Sequence, residues 1–254
     1  MAIYEVPAMT EMTALSSETP VAVVGAGTMG RGIAQVAAGA GHRVLLYDVD
    51  PEAARRALAA IGDVLDGRVA RGKLGAETRD ALLGRIHPVA NLAELAPAGL
   101  VVEAVVEDLG VKQALFRELQ ARNPQAILAS NTSSLSITAI ASALPQPERL
   151  LGMHFFNPAP VMQLVEVVRG LATDPGLAAT VHATAGRWGK TAVYARSTPG
   201  FIVNRVARPF YAEALRLLQE GACEPATLDA LLREAGGFPM GACELMDLIG
   251  HDVN

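Results

Sequence analysis

His154 and Glu166 stand twelve positions apart, His154 in Gly152-Met153-His154-Phe155-Phe156-Asn157-Pro158 and Glu166 in Leu164-Val165-Glu166-Val167-Val168. A carboxylate inside an apolar run is costly to bury without a partner. Pairing with the imidazole would satisfy it, orient the ring and stabilise the charge the ring gains on taking a proton. Such a pair could act as a general base on a hydroxyl. Read singly, the histidine also fits a satisfied core residue, and the glutamate a solvent-facing position on an edge strand. Ser130-Asn131-Thr132-Ser133-Ser134 offers hydroxyls for a substrate oxygen, or equally an N-cap cluster for the next helix. Asn204, in Gly200-Phe201-Ile202-Val203-Asn204-Arg205, carries an amide that suits either a cleft or a helix surface.

A second set of residues suits a dinucleotide. Gly25-Ala26-Gly27-Thr28-Met29-Gly30 directly follows the apolar run Val21 to Val24, and Asp48 closes the next apolar run. Gly25 permits the tight turn, Gly27 lets a pyrophosphate approach the backbone, and Gly30 lets helix and strand pack closely. The helix that opens there offers unbonded N–H groups and a partial positive charge to phosphates. Asp48 would accept hydrogen bonds from an adenosine ribose and repel a 2′-phosphate, so NAD is expected rather than NADP.

These residues need elements to hold them, and the pattern supplies strands alternating with helices. Val21–Val24, Val44–Tyr47, Leu100–Val106, Ala126–Ser130, Leu150–His154, Val161–Val168 and Thr191–Tyr194 read as strands. The periodicity predicts helices after Gly27, from Pro51 with Asp50 as its N-cap, over Ala76–Leu83, Val111–Leu119 and Ser136–Leu144, and after Asp174-Pro175. Strands alternating with helices imply a doubly wound, largely parallel α/β sheet of the Rossmann type. Past Ser197-Thr198-Pro199-Gly200 only helical signals remain, at Phe201–Leu218, Pro225–Glu234 and from Met240 onward. The expected organisation is a loose leader over 1–18, a dinucleotide-binding domain over 19–198, and a helical domain over 199–254 that is cut short. Ile249, in a lone final helix, would then need another surface to cover it.

Composition narrows the classes. A hydrophobic fraction of 51% with few aromatics suits a packed α/β protein and not a disordered one. A net charge of -5 leaves no basic footprint for nucleic acid. Two cysteines, Cys223 and Cys243, fit neither a disulfide framework nor a metal site and suit a reducing, cytoplasmic setting. No secretory leader or membrane-spanning run is read in the sequence.

Taken in order and spacing, the glycine loop, Ser130–Ser134, His154–Pro158, Glu166 and Gly200–Arg205 resemble the 3-hydroxyacyl-CoA dehydrogenase family, with the likeness running from Thr19 to Asn254. The resemblance implies oxidation of an L-3-hydroxyacyl-CoA to the 3-oxoacyl-CoA with NAD as cofactor. It implies that His154 is the catalytic base, Glu166 its orienting partner, Ser133 the hydroxyl on the substrate's C3 oxygen, and Asn204 a second polar contact. Glu107, Lys112, Ser133 and Asn157 match family residues of the nicotinamide half. Arg71 and Lys73 sit where a helical hairpin meets CoA phosphates. Arg71-Gly72-Lys73-Leu74 and Ser197 through Pro209 are worded like the bacterial 3-hydroxyadipyl-CoA members that serve phenylacetate breakdown, and the 3-hydroxybutyryl-CoA members share much of this. A homodimer through the helical domain is also implied. Two other readings stand beside this one: a catalytically silent NAD-binding relative, and a dehydrogenase of a free 3-hydroxy acid or sugar acid.

Overall fold

The computed structural model describes residues 13–250, and the chain divides at Pro199–Gly200 into two compact units. The first unit is built on an eight-stranded sheet. The Val-rich run β1 (Val21–Val24) is buried throughout and leads into α1 (Thr28–Gly39), whose Ile33, Ala37 and Ala38 face the core. Next come β2 (Val44–Tyr47) and the long helix α2 (Pro51–Ala70), which buries Ile61 and Leu65. Asp50 caps α2 by accepting from Glu52 N at 3.0 Å, and Pro51 occupies the first helical turn. Helix α3 (Ala76–Leu83) folds back as the second arm of a hairpin with α2, and β3 (Ile86–Val89) follows.

Strand β4 (Leu100–Glu103), helix α4 (Leu109–Arg122), β5 (Ile127–Ser130), α5 (Ile137–Ala141) and β6 (Leu150–Phe155) continue the alternation. The last elements of the unit are β7 (Leu164–Arg169), α6 (Pro175–Arg187) and β8 (Thr191–Arg196). The strand order is β3-β2-β1-β4-β5-β6-β7-β8, with every pair parallel except β6 and β7. The winding therefore reverses between β1 and β4, which opens a crevice at the carboxyl ends of those strands, the usual ligand position in such sheets. Helices α1, α2 and α6 share one core with the sheet, with Ile33, Ile61 and Val181 packed around Val23, Leu46 and Leu151.

The structure corrects several expectations. Strand β3 is absent from the sequence pattern, because Pro88 interrupts it; as an edge strand it can carry a residue with no N–H to donate. The strand expected from Val161 begins only at Leu164. Val161 and Met162 instead turn back, their amides bonding Pro158 O at 2.9 and 3.0 Å, while Lys190 Nζ donates to Ala159 O and Met162 O at 2.6 and 2.9 Å. The leader over 1–18 is not loose where it is described: Ala14 is buried, and Leu15 packs on the core with its amide bonded to Thr184 Oγ1 at 3.0 Å. The rest of that expectation, over 1–12, lies outside the described residues.

The second unit holds α7 (Val203–Gln219), α8 (Pro225–Glu234) and α9 (Ala242–Ile249) around Ala214, Leu228, Ala242 and Met246. Asp229 is buried and caps α9 from outside it, accepting from Cys243 N at 2.9 Å and Glu244 N at 3.1 Å. Cys223 and Cys243 are free thiols beside the same core, and burial followed by the nearby Asp229 charge pushes the Cys243 thiol up. None of the helices among the described residues is long and apolar enough to cross a membrane.

Candidate functional site

The glycine loop has the geometry its sequence implies. Gly25 adopts φ +100°, and a Cβ there would lie 2.6 Å from Ala104 O, so the loops after β1 and β4 touch at the crevice. At Gly30 a Cβ would lie 1.7 Å from Gly25 O, so helix and turn could not close with any larger residue. Gly27 faces open space, and no side chain caps α1. An exposed Gly27 and Thr28 at the start of α1 thus offer backbone N–H groups and the positive helix end to an anion. Asp48 closes β2 and ties the loop down: its Oδ2 accepts from Ala26 N at 2.7 Å and its Oδ1 from Asp50 N at 3.0 Å. Each oxygen keeps a second acceptor position. These residues fit a dinucleotide, with the pyrophosphate over Gly27 and a ribose at Asp48. Met29, half-buried in the first turn of α1, packs on the core below the loop.

On the other side of the crevice, β6 runs parallel to β5 and delivers His154 near its carboxyl end. The antiparallel β7 brings Glu166 into direct register with it. His154 Nδ1 lies 2.7 Å from Glu166 Oε2, with the histidine 5% and the glutamate 0% exposed. A carboxylate oxygen accepts, so Nδ1 carries the proton and Nε2 becomes the basic nitrogen of the ring. The Phe156 ring sits 4.5 Å from the imidazole, centroid to centroid, and blocks one side. Gly32 of α1 packs against the turn that follows, where a Cβ would meet Ala159 at 3.1 Å and Pro160 at 3.2 Å.

Between these two parts lies the loop after β5. Asn131 Oδ1 accepts from Phe155 N at 2.9 Å and so joins the loop to the end of β6. Ser136 caps α5, while Thr132 Oγ1 accepts from Leu135 N at 2.9 Å. Ser133 is exposed, and its amide donates to Glu107 Oε1 at 3.1 Å. The same oxygen receives Thr132 Oγ1 at 2.5 Å, Ser134 N at 3.2 Å and Ser134 Oγ at 3.0 Å. Burial pushes the Glu107 carboxyl up, but the Thr132 hydroxyl, the Lys112 charge and the Ser134 and Ser133 bonds outweigh it, so the net shift is downward.

Lys112 does not open onto the crevice itself. It is 1% exposed, with Nζ 2.5 Å from Glu103 Oε1, 3.3 Å from Val105 O and 3.4 Å from Glu107 Oε2. Breaking a buried pair by removing one partner costs about 3–5 kcal/mol, so this lysine and Glu103 hold one another in place. Glu103 is a residue that the sequence reading misses. It ends the apolar run Leu100-Val101-Val102, which is the same lone-charge signal that singles out Glu166. Asn131 is missed as well, hidden among the hydroxyls around it.

Asn157 is exposed directly after β6, before a cis bond to Pro158. Arg71 and Lys73 are exposed in the turn between α2 and α3. Asn204 lies in the first turn of α7, in the second unit. Among the described residues no group of His, Cys, Asp and Glu is arranged to hold a metal.

The chain is similar to known proteins along both of its units. Residues 20–198 match the family model for the 3-hydroxyacyl-CoA dehydrogenase NAD binding domain, and residues 200–254 match the model for the C-terminal domain of the same enzymes. The chain is 56% identical over 92% of its length to a 3-hydroxyadipyl-CoA dehydrogenase of Escherichia coli, and spans 50% of that protein. It is 44% identical over 91% of its length to a probable 3-hydroxybutyryl-CoA dehydrogenase of Deinococcus radiodurans, covering 83% of it. The crystal structure of an Escherichia coli 3-hydroxybutyryl-CoA dehydrogenase superposes with TM-score 0.92 at 55% identity, over 94% of this chain and 51% of that one. With both domains matched and the NAD-binding cradle formed, the chain belongs to the 3-hydroxyacyl-CoA dehydrogenase family.

Proposed function

We propose that this chain oxidises an L-3-hydroxyacyl-CoA to the 3-oxoacyl-CoA, and that 3-hydroxyadipyl-CoA and 3-hydroxybutyryl-CoA are its substrate class. The observation that carries the reading is the buried His154–Glu166 pair at 2.7 Å, standing in register at the carboxyl end of β6 beside the Ser133 loop. With its Nδ1 proton donated to Glu166, the imidazole takes the substrate hydroxyl proton at Nε2, and the Glu166 carboxylate stabilises the imidazolium that forms. Ser133, exposed on a loop whose backbone is pinned, holds the C3 oxygen, and Asn204 supplies a second polar contact. NAD, when bound, supplies the acceptor for the hydride that leaves C3. Glu107 and Asn157 belong to the nicotinamide half of this reading, Lys112 acts there through Glu107, and Arg71 and Lys73 meet the CoA phosphates. The names of the relatives support the CoA thioester as substrate, and a role in phenylacetate breakdown rests on the family likeness of Arg71-Gly72-Lys73-Leu74 and Ser197 through Pro209.

The second unit exposes Val206, Leu215, Leu231 and Leu248, at 72, 50, 55 and 70%. In this reading a second copy of the chain covers them, giving a homodimer. Two free thiols suit a cytoplasmic setting.

The test is loss of NADH absorbance on adding acetoacetyl-CoA or 3-oxoadipyl-CoA, set against the corresponding free acids. Turnover with the thioesters alone is the expected result. Turnover with the free acids alone would replace the substrate class, and none with any of them would leave a silent NAD-binding protein.

A further inference from the structure

Glu103 is fully buried at the end of β4, yet it touches both the loop after β4 and the start of the loop after β5. Its Oε1 accepts from Val105 N at 2.7 Å and from Lys112 Nζ at 2.5 Å, and its Oε2 accepts from Ser130 Oγ at 2.7 Å. Lys112 in turn faces Glu107, whose Oε1 gathers Thr132, Ser133 and Ser134. One carboxylate therefore grips the loop after β5 at its start through Ser130. It reaches the same loop again at its middle through Lys112 and Glu107. A buried lysine paired with a buried carboxylate is an expensive way to fill space, because Lys112 and Glu103 both lose their water. A pair of apolar side chains would pack there without that cost, so stability alone does not explain the arrangement. What the charges add is direction: each bond fixes an angle as well as a distance.

We propose that Glu103 is a positioning residue which, through Ser130 on one side and Lys112–Glu107 on the other, sets the Ser133 backbone at the distance the substrate's C3 oxygen requires. This rests on the reading of Ser133 given above. A misplaced oxygen-binding group costs rate, whereas Asp48 and the open start of α1, which suit the other half of the dinucleotide, make none of these bonds.

The experiment is a double-mutant cycle of Glu103→Gln with Ser133→Ala in the full chain, read as the rate of NADH oxidation by acetoacetyl-CoA. Affinity for NADH is measured in parallel. Glu103→Gln alone is expected to lower the rate about ten- to a hundredfold. Its affinity for NADH should fall by a smaller factor than its rate, because Asp48 and the start of α1 are untouched, and amide exchange at Ser133 and Ser134 rises. In the Ser133→Ala background the same substitution should cost less than about twofold, because its route of action is gone. Losses that multiply in full would overturn the proposal while leaving the role of Ser133 intact. Ser133→Ala at the parent rate would overturn both. If Glu103→Gln does not fold, Ser130→Ala removes only the direct grip; the expected result is slower turnover and faster Ser133 exchange, and parent values for both would overturn the proposal.

Discussion

His154 and Glu166 meet across a single antiparallel strand pair, in register, through one 2.7 Å bond. Ser133 sits instead on a loop, and its backbone is placed by a run of side chains that begins at Glu103 and passes through Lys112 and Glu107. The strand pair needs only the alternation of the sheet to bring the two groups face to face, so its geometry is as rigid as the ladder around it. The loop has no ladder of its own and relies on buried charge for the same result. The two constructions should therefore fail differently. Damage to the pair removes the proton acceptor, whereas damage to the clamp leaves the chemistry present but badly aimed.

The largest expected effect is on the pair. His154→Gln should lower turnover by about 10²–10⁴-fold while NADH binding, followed by fluorescence, stays near the parent value. Turnover at the parent rate would remove His154 from the chemistry. The dinucleotide loop offers a control that belongs to neither half. Asp48→Ala should weaken NADH binding by roughly tenfold, about 1.4 kcal/mol, through the lost ribose acceptor and the freed Ala26 amide. The preference over NADPH should narrow as well, and an unchanged preference would refute the ribose role.

The smallest effect concerns the clamp and pH. The Glu107 carboxyl is held below its usual value in the folded protein. A depressed carboxylate contributes stability that is fully present above the usual carboxylate range and is lost as pH falls through the lowered folded value. The melting temperature of the parent should thus drop faster than that of Glu107→Gln as acid is added below that range. Parallel curves would mean that Glu107 contributes no charge-dependent stability.

The same contrast explains what is legible in the sequence. The glycine loop, Asp48 and the His154–Glu166 pair can be read there because each follows from a local period: a strand, a turn, and one unusual residue. The edge strand over Ile86–Val89 escapes, since Pro88 argues against a strand unless its edge position is already known. Leu15 escapes as well, because a lone apolar residue has no period, and only the fold shows the Thr184 hydroxyl that receives its amide. Glu107 and Lys112 enter the sequence reading only through family likeness, as expected cofactor residues. Their actual bonds depend on Glu103, nine positions before Lys112 in the chain and reached only by the turn from β4 into α4. Sequence spacing reports neighbours along one element well. It reports poorly on a charge network that closes over two loops.

In the proposed reaction His154 moves the proton, and Glu166 works only through it. The most direct measurement of that division is the rate of NADH oxidation by acetoacetyl-CoA across His154→Gln, Glu166→Gln and the double variant. Glu166→Gln alone should cost up to about 10⁴-fold, from a ring that has lost its fixed orientation and its charge partner. The double variant should be no slower than His154→Gln by itself. Losses that multiply would contradict it, because Glu166 would then have a function independent of the histidine it faces.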